Sequence, residues 1–261
     1  MRDYGRVYKF IIEKRFVFNE YAKLFTPEEI GDTTNTTAMI KLYKFEGSAI
    51  LDFYNCVKAF KDAGYKKLIL DLRDNGGGEA LILQYIASCL INGADSKNIE
   101  ILKSIYNSGD GKMKTEYLGT TNQGEVVVDG ETQIVPVLNL PKEIGDEFEL
   151  VVLANGNSAS CSEALLGALQ YYNNVGFVGS KTYGKGVGQI SMPFAGGKYI
   201  LVITNSKYFI PTDEDGDGVI DWTKSIHKTG ISPTEENQID NIYRPIIRDE
   251  AIKRALTLFN S

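Results

Sequence analysis

A chain of 261 residues is long enough for one large domain, or one domain and a small appendage, and it can bury a substantial core without disulfide or metal support. Hydrophobic residues make up 43% and charged residues 24%, and the net charge is −6 with scattered Lys and Arg, so a sequence-independent nucleic-acid binder is excluded. Cys56, Cys89 and Cys161 are too few and too irregularly spaced for a disulfide or zinc framework, and no apolar run is long enough to cross a membrane.

In chain order, MRDYGRVYKF does not read as a signal peptide, because charge interrupts its short apolar run. Residues 1–36 read as an N-terminal segment or linker, a possible remnant of an upstream domain. Within it FVFNEYAKLF is a helix candidate and TPEEIGDTTNTT a polar connector rich in turn formers. From Ala38 the signals sharpen. AMIKLYKF predicts a strand. SAILDFYNCVKAFKDAG predicts an amphipathic helix, with Ile50, Phe53, Tyr54, Val57 and Phe60 on one face and Gly64 as its stop. KKLILDLR predicts a strand covered on both faces, DNGGG a tight loop, and EALILQYIASCLI an apolar helix.

Residues 94–148 hold alternating stretches (IEILKSIY, KMKTEYLG, EVVVDG) between turn formers, the pattern of hairpins and of an insertion over one edge. ELVVLAN then predicts a buried strand, NGNSAS a turn, and CSEALLGALQYY a helix. VGFVG, a loop KTYGKGVG, the strands QISMPF and KYILVITNSKYFI, the acidic segment DEDGDGVID and a last helix RDEAIKRALTLF complete the order. Strands and helices alternate through the middle, so the fold class is α/β with an added β-hairpin region.

The chemistry-bearing residues fall in the loops. His227 is the single histidine, in a polar stretch, and reads as a turn or surface residue, so a Ser-His-Asp site has little to stand on. A serine hydrolase without histidine needs another base, and a lysine serves if burial lowers its pKa from about 10.4 by up to about 3–5 units. Lys185 sits between Gly184 and Gly186, which allow close backbone approach; the plain alternative is an exposed loop lysine. Ser160 falls where a short strand meets a helix N-terminus, whose unpaired N–H groups suit an oxyanion; the plain alternative is a helix cap. Gly76, Gly77 and Gly78 free a backbone to present N–H groups, or simply form a turn.

Taken together these segments resemble the tail-specific, or C-terminal-processing, serine peptidases. LILDLRDNGGG is similar to the family's DLRxNxGG signature, NSASCSEALLGALQ to its SASASE-type nucleophile segment, and GSKTYGKGVGQ to its GxxTxGKGxxQ lysine segment. KYILVITNSKYFIP and SIHKTGISP are similar to its closing strands and GI-x-P turn, in the same order, so the likeness runs from about Ala38 to Pro233. The resemblance implies a crotonase/ClpP-like, tricorn-protease-like catalytic core spanning 37–261, no cofactor, a protein or peptide substrate, and an exported or cell-envelope location. It implies Ser160 as nucleophile, Lys185 as base 25 positions later, Gln189 as the residue orienting the amine, and an oxyanion hole from the N–H of Cys161 and of Gly77 or Gly78. The chain departs from the pattern in carrying Cys161 for the usual alanine, in its long 94–148 stretch, and in having too few residues before Ala38 for a PDZ domain.

Three other readings are weighed against this one. Gly179–Lys185 has the spacing of a phosphate loop, but Gly186 stands where Ser or Thr would bind magnesium and a strand follows where a helix should. Asp213, Asp215, Asp217 and Asp221 resemble the start of a calcium loop, but Lys224 occupies the twelfth position, and a solvated acidic hairpin tip is the better expectation. The third is a binding protein on the same scaffold, which takes peptides or small ligands without cleaving them.

Overall fold

The computed structural model describes residues 20–94, 98–128, 130–140, 148–239 and 245–259. Its main sheet is built from β1 (Ala22–Phe25), β2 (Thr37–Leu42), β3 (Lys67–Asp71), β8 (Glu149–Ala154) and β9 (Gly176–Gly179), adjacent in that order. β2, β3, β8 and β9 run parallel, and β1 is an antiparallel edge. The parallel pairs need crossovers, which the helices supply: α2 (Ala49–Asp62) after β2, α3 (Ala80–Leu90) after β3 and α4 (Cys161–Asn173) after β8.

Alternation along each strand divides the core into two layers. Ile40, Leu42, Leu68, Leu70 and Val152 face one side, where they pack with Phe53 and Phe60 of α2, Tyr85 of α3 and Leu165 of α4. Met39, Ile69, Val151, Leu153 and Val178 face the other side, against Ala251, Ile252 and Ala255 of the last helix, α5 (Glu250–Leu258). Burial on both faces accounts for the uninterrupted apolar runs of these strands. α5 is capped by Asp249, whose second carboxylate oxygen accepts from Arg73 at 2.7 Å, so the loop after β3 is tied to the C-terminal helix.

A second, antiparallel sheet has the order β10 (Val187–Phe194), β11 (Tyr199–Phe209), β4 (Glu100–Asn107), β5 (Met113–Gly119). The hairpin β6 (Gln123–Val128)–β7 (Glu131–Pro136) stands apart from both sheets and covers α2 and α3: Val126 and Val135 enter the main core, and the Tyr85 hydroxyl donates to the Pro136 carbonyl at 3.0 Å. Residues 94–148 thus supply one hairpin to the second sheet and another to the helical layer.

Two expectations for the N-terminal region are corrected. The described part of FVFNEYAKLF is strand, because Ala22–Phe25 pair with Met39–Leu42 and bury Ala22 and Phe25; its first residues lie outside the described residues. The connector TPEEIGDTTNTT begins with a short helix, α1 (Pro27–Ile30), closed by a capping box between Thr26 and Glu29. The Asp32 carboxylate then collects the N–H groups of Thr34, Thr36 and Thr37 at 2.9–3.0 Å and leads the chain into β2.

Candidate active site

Three loops converge at the C-terminal ends of the parallel strands. Asn155 follows the last residue of β8, and the Ser158 hydroxyl both accepts the Asn155 N–H at 2.9 Å and donates to the Leu72 carbonyl at 2.8 Å. That brace shapes the turn that delivers Ser160 to the start of α4, with φ 59° and ψ −116°, a conformation rare for a residue with a side chain. The glycine loop after β3 lies directly against this turn. The Asn75 carbonyl accepts the Ala159 N–H at 3.0 Å and the Ser162 hydroxyl at 2.8 Å. Gly77 has φ +94°, and a Cβ there would stand 2.7 Å from Ser160 Cβ, so only glycine allows the two loops to touch.

The loop before β10 carries Lys185. It rests on the segment around His227: Lys228 N–H donates to the Gly184 carbonyl at 2.8 Å, Thr182 N–H to the Ile231 carbonyl at 2.9 Å, and a Cβ on Gly186 would stand 2.6 Å from the His227 nitrogen. His227 therefore packs against the backbone of Gly186 in a turn. It is not among the residues lining the cleft, and its Nδ1 is buried without a hydrogen-bond partner among the described residues.

Glu163, fully buried in the first turn of α4, joins the two loops. One carboxylate oxygen accepts the Thr182 hydroxyl at 2.6 Å and the Gly184 N–H at 2.7 Å. The other accepts the N–H of Ser160 at 3.0 Å and of Lys185 at 2.9 Å. Tyr208, on β11, donates its hydroxyl to the Lys185 carbonyl and its N–H to the Gly186 carbonyl. Burial, followed by the Glu163 charge, pushes the Tyr208 phenol well up, against a hydrogen bond from Ser160, so the phenol stays a donor. Sequence reasoning missed Glu163, Tyr208 and the bracing Asn75; the Ser160-x-x-Glu163 spacing of a capping box was the signal for the first.

Ser160, Lys185, Gln189, Cys161 and Gly78 line one cleft of about 550 Å³, with Leu81, Leu83, Leu102 and Val187 as its apolar wall. The Lys185 Nζ donates to Gln189 Oε1 at 3.3 Å. Among the described residues no hydrogen bond joins the Ser160 hydroxyl to the Lys185 amine directly. The Gly77 N–H is taken by the Asn75 side chain at 2.9 Å, whereas the N–H groups of Gly78 and Cys161 have no acceptor among the described residues. The Cys161 thiol is buried and donates to the Gly78 carbonyl at 3.2 Å; burial, only partly offset by that contact and by Ser160 and Lys185, pushes it up to about 11.

The remaining candidates lie elsewhere. The residues after Lys185 form β10, so the phosphate-loop spacing opens no helix. Asp213, Asp215 and Asp221 bring carboxylate oxygens within 4.8 Å of one another, while Asp217 stays outside that group. Asp213 accepts the N–H groups of Gly216 and Gly218, and Asp221 that of Glu214, at the end of a hairpin closed by Thr212 and Asp221. These carboxylates cap their own turn.

Comparison with known proteins places this geometry in context. A model of the family described as Peptidase family S41 matches residues 36–236. The chain is 31% identical over 196 residues to a probable CtpA-like serine protease of Staphylococcus aureus (strain COL), an alignment covering 75% of this chain and 32% of that relative. The chain thus spans about a third of the length of the curated relatives it matches. Among solved structures, the fold is similar to the photosystem II D1 C-terminal processing protease, with a TM-score of 0.58, 20% identity and coverage of 89% of this chain and 52% of that one. It is also similar to a lipoprotein from Streptococcus agalactiae, with a TM-score of 0.57, 14% identity and coverage of 95% and 72%.

Proposed function

From the premise that this chain belongs to peptidase family S41, we propose that it is a serine peptidase that cleaves peptide bonds through Ser160 and Lys185. The observation that carries the reading is the Glu163 carboxylate, which holds the backbones of both residues at the edge of one cleft, beside two N–H groups that have no acceptor among the described residues.

In this reading the unprotonated form of the Lys185 amine takes the proton of the Ser160 hydroxyl while Oγ attacks the carbonyl carbon of a bound peptide. The carbonyl oxygen becomes an oxyanion between the N–H groups of Gly78 and Cys161, the first pair of donors with nothing else to bind. Gly77 is the weaker candidate, since Asn75 already occupies it. The Lys185 ammonium then returns its proton to the departing amine, and water repeats the sequence on the acyl-enzyme. Gln189 orients the amine through its Oε1. Catalytic hydrogen bonds are often long in ligand-free proteins and tighten on substrate binding, so the amine is expected to turn from Gln189 toward Ser160 when the cleft fills.

The parallel order β2-β3-β8-β9 supports a crotonase/ClpP-like core, and the family match supports residues 37–261 as the catalytic domain with 94–148 inserted in it. The resemblance to tail-specific peptidases supports an exported or cell-envelope location. No helix among the described residues is long and apolar enough to cross a membrane.

A second reading, a peptide- or small-ligand-binding protein on the same scaffold, draws on one observation: the resting amine bonds to Gln189 and not to Ser160. A fluorophosphonate probe separates the two. Peptidase chemistry requires that the probe phosphonylates Ser160, its Oγ displacing fluoride from phosphorus, and that Ser160→Ala and Lys185→Ala each abolish peptide cleavage with the fold intact. Cleavage at the normal rate by Lys185→Ala would overturn the dyad, and ligand binding without labelling of Ser160 would favour the binding reading.

A further inference from the structure

Beyond the cleft, β10 and β11 continue as a ribbon of two strands. β4 pairs with β11 only from Ser206 to Phe209, whereas the β10–β11 ladder runs on from Gln189 opposite Thr204 to Phe194 opposite Tyr199. In that stretch no third strand among the described residues supports it, and its residues are exposed on both faces. An isolated two-stranded hairpin is marginal in water unless a face packs against something.

The register sorts the side chains. Ile190 opposite Ile203, Met192 opposite Leu201, and Phe194 opposite Tyr199 share one face. All six are large and apolar, and they stand 38–66% exposed. Gln189, Ser191 and Pro193, with Thr204, Val202 and Ile200, make the other face. Gln189 holds the Lys185 amine, so that second face is the one continuous with the cleft, and the all-apolar face points away from it.

We infer that this apolar face is the interface with a second copy of the chain, packed face to face across a two-fold axis. A two-fold contact pairs a patch with itself, which requires that the patch carry no concentrated charge of one sign. Lys198, at the turn, is the one charged residue between Val187 and Asn205. With large side chains of roughly 150–250 Å² each, the exposed fractions leave on the order of 600 Å² open, at the upper limit for a lone monomer and close to the roughly 800 Å² per partner of a stable interface. A single lysine gives no basic cluster to hold a lipid surface. Substrate would lie on the opposite face.

The test is the oligomeric state of the chain by sedimentation equilibrium, with thermal unfolding as a control for folding. A dimer at micromolar concentration is expected, and Met192→Asp with Leu201→Asp is expected to halve the mass while the monomer still unfolds in one cooperative transition, at a temperature lowered only by the lost association. Leu201→Cys gives an independent readout: Met192 and Leu201 are the middle of the three apolar pairs, so an axis through the centre of the patch brings the two copies of position 201 close, and mild oxidation should then yield a covalent dimer. A chain that sediments as a monomer throughout overturns the inference. So does a dimer that survives the paired aspartates, or a monomer that floats with phosphatidylcholine vesicles through this face.

Discussion

One oxygen of Glu163 accepts the backbone N–H of Lys185 at 2.9 Å, and the same oxygen accepts the N–H of Ser160 at 3.0 Å. Two loops from different parts of the chain are thereby referenced to a single buried atom, and the separation of their side chains is set by one carboxylate rather than by the flexibility of either loop.

Glu163→Gln places an amide NH₂ where one pair of donors, either the Ser160 and Lys185 N–H groups or the Gly184 N–H and the Thr182 hydroxyl, now finds an acceptor. Each buried donor left without a partner costs about 1–3 kcal/mol, so the midpoint of urea unfolding should fall clearly. Displacement of a reacting group by about 1 Å can cost about 100-fold in rate, and peptidase kcat/KM should drop by at least that factor. An unchanged midpoint and rate would show that the loops hold their places without the carboxylate.

Neighbouring glycines should respond very differently to alanine. At Gly77 the backbone has φ +94° and a new Cβ would stand 2.7 Å from Ser160 Cβ and 2.8 Å from the Ala159 carbonyl. Gly77→Ala should lose peptidase activity and about 1–3 kcal/mol of stability through that strain. Nothing lies within 4 Å of a Cβ at Gly76, so Gly76→Ala should remain within about 0.5 kcal/mol of the parent. Equal effects at the two positions would contradict the packing.

Acid should loosen the clamp at the end of β3. Burial pushes the Asp71 carboxyl up, but the paired hydrogen bonds and charge of Arg73, with Lys41 beside them, outweigh it and hold the group below the usual carboxylate range. A depressed folded value means that this contribution is fully present above the unfolded carboxylate value of about 3.9 and is lost as pH falls through the folded value. Urea stability measured against pH should therefore decline below about pH 4, and Asp71→Asn should remove part of that slope. The variant also leaves Arg73 short of a buried partner, so it should be less stable at neutral pH by about 3–5 kcal/mol. Identical slopes for parent and variant would remove Asp71 from the account.

Thiol chemistry should spare the native protein. Burial pushes Cys161 up to about 11 and Cys56 and Cys89 up to about 12, and all three are buried and unpaired. Iodoacetamide at pH about 8 needs thiolate, so it should label no cysteine until the chain is denatured, and peptidase activity should survive the treatment. Rapid loss of activity would mean that the thiol next to Ser160 is open to solvent.

The elements that repeat locally were legible from residue order. Ile50, Phe53, Val57 and Phe60 form the buried stripe of α2 as their spacing predicts, and the apolar runs of β3 and β8 lie between two covered faces. Ser160, Lys185 and Gln189 reach one cleft although they lie on different elements. What depended on distant pairing was not legible. Ala22–Phe25 looks helical in isolation and becomes strand only because β2 offers an edge. Tyr208 reads as one more strand aromatic, and nothing near it in sequence announces that its hydroxyl ends on the Lys185 carbonyl. Glu163 sits in a helical first turn where an acid is ordinary, so its service to a loop 22 positions on is hidden. That the Gly77 N–H is taken by the Asn75 side chain was not legible either, since no motif encodes that orientation.

The backbone at Ser160, at φ 59° and ψ −116°, has one further implication. Such a conformation stores on the order of 1–3 kcal/mol for any residue with a Cβ, and glycine alone escapes it. The chain therefore carries a serine at the spot where the simplest amino acid would make the sturdier molecule. Ser160→Gly should outlast its parent on heating, and the difference in melting temperature between it and Ser160→Ala would put a figure on what this protein gives up in robustness to keep a hydroxyl aimed at that point.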